Sequence, residues 1–151
     1  MVFIDLELHR FQDDLLLKRQ GRQIFVFDPL RKRYLLLSPE EWVRQLMIRY
    51  LLHRAYPAGR LAVEQSLVVN GRTRRFDLLA YDAQGQPFLL VECKAPEVNI
   101  SQKAMDQIAA YNHALKAPYL LLTNGRQTIC CAMNYEENAT SLVFLDSIPT
   151  P

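Results

Sequence analysis

Cysteine and histidine are scarce in this sequence, which limits the chemistry it can support. There are three of each among 151 residues. The cysteines, at positions 93, 130 and 131, match the spacing of neither a zinc site nor a disulfide framework, so we expect reduced core residues. The histidines, at positions 9, 53 and 113, fall in separate segments, which favours surface or packing roles and gives no sign of a Ser-His-Asp arrangement.

Two further absences concern membranes and nucleotides. No apolar run approaches the roughly 20 residues needed to cross a bilayer, and Asp5 and Glu7 interrupt the N-terminus, which excludes a signal peptide. We therefore predict a cytoplasmic protein with no membrane partner. None of the five glycines is followed by lysine, so the sequence lacks the phosphate-binding loop of a nucleotide-driven motor.

Neither sign of charge dominates the chain. It has 18 Lys and Arg against 16 Asp and Glu, so the net charge gives no argument for a nucleic-acid partner. Local clusters carry that argument instead, and each fits a phosphate-binding patch or a solvated face equally well. They are Arg31, Lys32 and Arg33 in one turn, and Arg72, Arg74 and Arg75 at a hairpin.

The length and the hydrophobic content of 50% are enough for one sizeable core. We predict a single domain, 1–151, with an N-terminal extension and hairpin (1–37), a core (38–133) and a C-terminal strand and tail (134–151). The predicted fold class is α/β. It has a mixed sheet, in which an antiparallel meander is joined by a parallel crossover strand, flanked by helices.

Turn and capping residues place the elements. The N-terminal hairpin is predicted at 23–27 and 34–37, turning at Asp28 and Pro29. Ser38, Pro39 and Glu41 form a helix start with a capping box, and that helix should run to about Ala55. Its core stripe is Val43, Leu46, Met47, Tyr50 and Leu51.

The second half of the chain predicts a meander followed by a helical crossover. Three strands are expected at 61–69, 72–81 and 87–94. A helix capped by Asn99 or Ser101 should then lead to a parallel strand at 119–123, because parallel neighbours need a crossover connection. Strands at 127–133 and 142–145, joined by a polar loop at 134–140, complete the predicted sheet.

The most informative residues lie on the second hairpin of the meander. Alternate side chains of a strand share a face, so Glu92 and Lys94 should project together and Cys93 the opposite way. If the hairpin is symmetric about Gln84 and Gly85, Asp77 lies opposite Glu92. Like charges in this position are destabilising, and a hard cation such as Mg²⁺ or Mn²⁺ would compensate them.

Two other acidic residues are candidates for a third metal ligand. A two-residue turn at Asn70 and Gly71 would make Glu64 the partner of Asp77 and extend the acidic residues into one row. Helical phase offers Glu40 instead, because it falls near the core stripe, whereas Glu41 falls on the far side and is explained by capping. The alternative to a metal site is a hairpin face with acids dispersed over the surface.

The motif formed by Asp77 and Glu92-Cys93-Lys94, followed by Gln107 and Tyr111, resembles the PD-(D/E)xK nuclease superfamily. Over roughly residues 25–125 the chain is similar to the N-terminal nuclease domain of type I restriction enzyme R subunits, with matching runs at 39–45, 91–96 and 122–125. Phe76 stands where many members have proline. The resemblance implies a restriction-endonuclease-like fold.

It also implies metal ligation by Asp77 and Glu92, catalysis by Lys94, and a Q-xxx-Y motif at Gln107 and Tyr111. In that motif Gln107 could orient water or contact DNA, and without the resemblance the pair would be read as a packing tyrosine and a solvated glutamine.

The expected function is metal-dependent endonucleolytic cleavage of DNA. The alternative is an inactive nuclease fold that binds nucleic acid or a protein partner. Cutting both strands of a duplex usually needs two sites, which a homodimer would provide. Because the chain lacks a motor, it would act alone, be recruited by a partner motor or specificity subunit, or form part of a longer chain.

Overall fold

The structure, a computed structural model, describes residues 1–136 and 139–151. Its N-terminal part is a 3-10 helix, Leu8–Asp14, followed by an antiparallel sheet of β1 (Leu17–Gln20), β2 (Gln23–Asp28) and β3 (Arg33–Leu36). The predicted hairpin corresponds to β2 and β3. β1 was not predicted because all four of its residues are exposed, so they show no alternation of apolar and polar side chains.

The first helix, α1, spans Pro39–His53. Its predicted start is confirmed, because the Oγ atom of Ser38 accepts a hydrogen bond from the backbone N–H of Glu41 at 3.1 Å. The helix ends before the predicted Ala55, which has a φ of +65° and therefore turns the chain out of the helix. The predicted core stripe is buried: Val43, Leu46, Met47, Tyr50 and Leu51.

The main sheet has six strands among the described residues, in the same order along the sheet as in the sequence. β6 (Pro87–Cys93) and β7 (Tyr119–Thr123) pair in parallel and are connected by the helix α2 (Gln102–Leu115), which Ser101 caps. The other neighbouring strands of this sheet are antiparallel. The predicted α/β class and mixed sheet are confirmed. The strands are β4 (Leu61–Val69), β5 (Arg72–Tyr81), β6 (Pro87–Cys93), β7 (Tyr119–Thr123), β8 (Thr128–Glu136) and β9 (Ala139–Leu145).

The sheet is covered on both faces. One core contains Leu46 and Met47 of α1, and it also includes Val26 of the N-terminal sheet. The second core contains Met105 and Ile108 of α2. β6 lies between these two layers, which explains the continuous apolar run at 88–91.

The C-terminal strands are longer than predicted. Residues 134–136 and 139–140 of the predicted polar loop belong to β8 and β9, and the rest of that loop, Glu137 and Asn138, lies outside the described residues. All three cysteines are free and buried, as predicted. Within the described ranges, no helix combines the length and the apolar character needed to cross a membrane. The domain division stays a prediction.

Candidate active site

Two hairpins set the register of the strands that carry the acidic residues. Asn70 and Gly71 have φ angles of +51° and +74°, both positive as a two-residue type I′ turn requires. The predicted registers hold at the pairs that flank the acidic positions: Val63 with Leu78, Gln65 with Phe76, and Leu78 with Val91. The second hairpin is not symmetric about Gln84 and Gly85 as predicted, because its register shifts between Ala80 and Tyr81.

Side-chain alternation breaks where Glu64 and Asp77 would pair. Glu64 has a φ of +51°, a conformation uncommon for residues other than glycine, and the β4–β5 ladder skips this pair between its described neighbours. As a result Phe76 packs in the core under α2 and Leu78 in the core under α1, although residues two apart should share a face. The predicted row of Glu64, Asp77 and Glu92 is therefore irregular at Glu64, although Glu64 and Asp77 both contact Arg44.

The end of β6 alternates as predicted. Glu92 and Lys94 line a cavity of about 230 Å³, and Cys93 is buried in the opposite core. The backbone N–H of Lys94 donates to the carbonyl oxygen of Thr123 at 2.8 Å, so β7 holds the lysine backbone. The Nζ atom of Lys94 lies 3.7 Å from Oε1 of Glu92.

Both carboxylate oxygens of Asp77 are engaged. Oδ1 accepts a hydrogen bond from Nη2 of Arg44 at 2.6 Å, and Oδ2 accepts one from the backbone N–H of Cys93 at 2.8 Å. Burial lowers the pKa of Arg44, but Asp77, Glu41 and Cys93 together outweigh this effect, and the pKa of Arg44 is raised. Asp77 is therefore oriented by a charged side chain from α1 and by the backbone of β6.

Glu92 lies beside Asp77 and interacts with it. Burial raises the pKa of Glu92 to about 8, and the charge of Asp77 and a hydrogen bond between the two carboxyl groups act in the same direction, whereas Lys94 lowers it. Two adjacent carboxyl groups that resist double ionisation form an environment that favours a bound cation.

The first turn of α1 differs from the prediction. The side chain of Glu41, predicted on the far side, is only 6% exposed and contacts Arg44, whereas that of Glu40 is 49% exposed and lies 3.4 Å from Arg44. Burial and then the charge of Asp77 raise the pKa of Glu40, which places Glu40 within electrostatic reach of Asp77. The prediction for Glu41 was wrong because α1 also turns polar side chains inward, beside its apolar stripe.

Arg31, in the turn between β2 and β3, binds three carboxylates. It donates to Asp28 and Glu41 at 2.6 Å each and to Glu64 at 2.9 Å. The other oxygen of Glu64 lies 3.3 Å from Nη1 of Arg44. Arg31 is thus enclosed by carboxylates. The basic cluster was predicted to be a phosphate-binding patch or a solvated face, and both predictions are wrong for Arg31.

Helix α2 forms the other wall of the cavity. Gln107 and Tyr111 line it together with Glu92 and Lys94. The guanidinium carbon of Arg74 lies 4.5 Å from the centre of the Tyr111 ring, within the range of a cation–π contact. The structure therefore brings Gln107 and Tyr111 to the same cavity as Glu92 and Lys94.

The two candidates for a third carboxylate have different surroundings. Glu64 is bound by Arg31 and Arg44, while Glu40 is half-exposed near Asp77. In the described part of the chain, no three His, Cys, Asp or Glu side chains form a cluster able to hold a metal. The donor pair Asp77 and Glu92 still suits Mg²⁺, because this ion keeps several waters and often uses one or two carboxylates together with a substrate phosphate.

Sequence reasoning missed Arg44, the residue that connects α1 to Asp77. A signal for it was present, since Glu41, Arg44 and Gln45 have the i, i+3, i+4 spacing of one helix face. All three are buried. Gln45 also donates to Asp28 at 3.0 Å, so this polar stripe joins α1 to the N-terminal sheet.

Comparison with protein families matches residues 39–149 to the type I restriction enzyme R protein N terminus (HSDR_N). The match begins at the first residue of α1 and includes Asp77, Glu92 and Lys94. It leaves out β1, β2, β3 and Arg31. A search of curated proteins gave no match.

Proposed function

Because the chain belongs to the family of the type I restriction enzyme R protein N terminus, we propose that it hydrolyses phosphodiester bonds of DNA with a divalent metal ion. The observation that carries the proposal is the meeting of Asp77, Glu92 and Lys94 at one end of β6, beside Gln107. Carboxylates, a cation and an amide are thereby available to one phosphate group.

Each side chain has a task in this reaction. Asp77 and Glu92 would hold Mg²⁺ or Mn²⁺, which supplies Lewis-acid stabilisation of charge on the phosphate oxygens when bound. Lys94 stabilises negative charge on the attacking water or on the pentavalent phosphorus, and Gln107 orients the water through its amide. The water oxygen bonds to phosphorus as the water loses a proton to solvent, the ester P–O bond breaks, and the leaving oxygen takes up a proton from solvent.

Positioning of Asp77 supports this assignment. Arg44 and the backbone N–H of Cys93 fix its two oxygens, and preorganised ligands lose little freedom when they bind. We propose Glu40 as the acid that assists from α1, because it lies near Asp77 and remains half-exposed. Glu64 is the weaker candidate, since Arg31 and Arg44 already bind its carboxylate.

Plasmid nicking with Mg²⁺ or Mn²⁺ tests the proposal. We expect wild type to nick the plasmid, and EDTA to stop the nicking. Lys94→Ala should cleave at least about 100-fold more slowly, while its circular dichroism spectrum stays unchanged. Lys103→Ala is the matched control, because Lys103 is exposed on α2 and does not line the cavity. Equal activity of Lys94→Ala and wild type would refute the role of Lys94.

An inactive nuclease fold that binds nucleic acid or protein is the second candidate. The contact between Arg44 and Asp77 favours it, because the guanidinium balances the buried carboxylate without a metal ion. Calorimetric titration with Mn²⁺ separates the two. Binding that is lost in Asp77→Asn supports the enzyme, whereas no binding by wild type supports the inactive fold.

The family also bears on partners. It belongs to restriction enzymes, which points to DNA and to a multi-subunit setting. A homodimer, a partner motor or specificity subunit, and a cytoplasmic location are proposals at this finer level.

A further inference from the structure

The surface between α2 and the β4–β5 hairpin holds a trough beside the cavity that Glu92 and Lys94 line. A second cavity of about 430 Å³ adjoins the first and shares Arg74 and Tyr111 with it. Its remaining lining residues belong to the hairpin tip and to α2: Val69, Asn70, Arg72 and Ala110. The two cavities adjoin at the contact between Arg74 and Tyr111, which lies between the Lys94 end and the hairpin tip.

The charge of this trough differs from that of the sheet's other face. Arg72 and Arg74 line the second cavity without any lining carboxylate among the described residues. In residues 1–136 and 139–151, neither arginine has a carboxylate oxygen within 4.0 Å of its nitrogens. By contrast, the cleft beside α1 is lined by Glu40, Glu41 and Glu64, and its two arginines, Arg31 and Arg44, already bind carboxylates there. An anionic polymer would therefore favour the α2 side.

The two arginines are arranged for binding a backbone of phosphates. They are two residues apart in β5, so their side chains share a face of the strand. Stacking of Arg74 on Tyr111 restricts the guanidinium, and its planar set of donors matches phosphate oxygens. This geometry can neutralise charge without contacting base edges, so it predicts binding that does not depend on sequence.

We propose that the DNA strand carrying the scissile phosphate continues from the cavity into this trough, with its phosphates bound by Arg72 and Arg74. This inference rests on the proposed function and adds the direction in which the substrate lies. The strand runs past Tyr111 toward Asn70 and Gly71, and the acidic cleft beside α1 stays free of it.

Salt-dependent DNA binding tests the path separately from cleavage. All variants are made in the Lys94→Ala protein, which is the parent, and are measured in EDTA. Binding is followed by fluorescence anisotropy of a labelled duplex and a labelled single strand at several salt concentrations. In Arg72→Gln/Arg74→Gln we expect the slope of log K against log salt to fall by about 2, since each lost phosphate contact removes about one unit. When salt rises from 50 to 200 mM, the double variant should therefore lose roughly tenfold less affinity for DNA than its parent does.

Arg19→Gln/Arg22→Gln is the matched control, because it removes the same charge from exposed residues of the β1–β2 hairpin. Its slope should stay within about 0.5 of the parent. An unchanged slope in Arg72→Gln/Arg74→Gln, or an equal decrease in both double variants, would overturn the proposed path. A parent that binds neither DNA would refute the DNA substrate itself, and a selective effect on a poly-glutamate peptide alone would identify an acidic protein partner instead.

Discussion

Asp77 is the residue on which two parts of the molecule converge. Arg44 reaches it from α1, and the backbone of Cys93 reaches it from β6. A buried carboxylate held in this way keeps its orientation whether or not a cation is bound. The neighbouring carboxyl group of Glu92 is held less closely, since the Nζ atom of Lys94 is 3.7 Å away. Its protonation therefore has the larger effect on how stability depends on pH.

Stability of the metal-free protein should fall as the pH rises, because of Glu92. Burial and Asp77 raise its pKa to about 8 from an ordinary value of 4.5, so the folded form retains a proton that the unfolded chain releases between these values. The stabilisation is complete below about pH 4.5 and is lost as the pH rises through about 8. In EDTA, urea unfolding at pH 5 and pH 8.5 should show a loss of roughly 2–4 kcal/mol for wild type.

Glu92→Gln should remove most of this pH dependence. Glu97→Gln is the control, because Glu97 is exposed, and it should follow wild type. If Glu92→Gln and wild type lose the same free energy of unfolding over this interval, Glu92 is not the titrating group.

At the scale of elements, the site depends on two irregular features of regular structure. β4 changes face at Glu64, where φ is positive, and α1 buries a polar stripe beside its apolar one. The Arg31 turn connects both features, because it binds Glu64 of β4 and Glu41 of α1. The N-terminal sheet therefore supports the site although the family match starts at residue 39.

Arg31→Gln should destabilise the protein by roughly 3–5 kcal/mol, because it removes the cationic partner of the buried Asp28 carboxylate and one of the two cationic partners of Glu41. For a chain of this size the melting temperature should fall by about 10 °C. Differential scanning fluorimetry measures this change. Arg33→Gln alters the same turn at an exposed residue and should change the melting temperature by less than about 2 °C, so similar shifts in the two variants would contradict the role of Arg31.

Local sequence signals predicted the strands of the main sheet and the registers beside the acidic residues, but not β1 and not these irregularities. The turn at Asn70 and Gly71 and the capping residue Ser38 act through neighbours in the sequence, so their effects could be recognised directly. Glu64, with its left-handed backbone, contacts Arg31, and the buried Arg44 contacts Asp77. Each of these partners lies 33 residues away in the sequence. No local pattern contains such contacts.

At the scale of the whole molecule, the parallel pair of β6 and β7 places Glu92 and Lys94 at the carboxyl end of a central strand, between α1 and α2. The two helices approach this end of the strand from opposite faces of the sheet. The α1 side supplies Arg44 and Glu40, and the α2 side supplies Gln107. A ligand bound there contacts groups that only the complete fold brings together, so its binding should be linked to global stability.

Divalent metal should therefore raise the melting temperature of wild type. At a free concentration of 100 times Kd the stabilisation is about 2.7 kcal/mol. Asp77→Asn should lose this response to Mg²⁺ and Mn²⁺, while Asp106→Asn, which alters an exposed residue of α2, should keep it. A metal-dependent shift of equal size in Asp77→Asn would remove Asp77 from the site.

The hydrogen bond from Lys94 to Thr123 determines when the site can form during synthesis. The partner of the lysine backbone is made 29 residues after it, and the intervening segment contains the whole of α2. At about 5–20 residues per second, a ribosome needs seconds to add that segment. A nascent chain that already carries Asp77, Glu92 and Lys94 thus lacks the strand that fixes the lysine, and the proposed cleavage activity should arise only after β7 has left the ribosome.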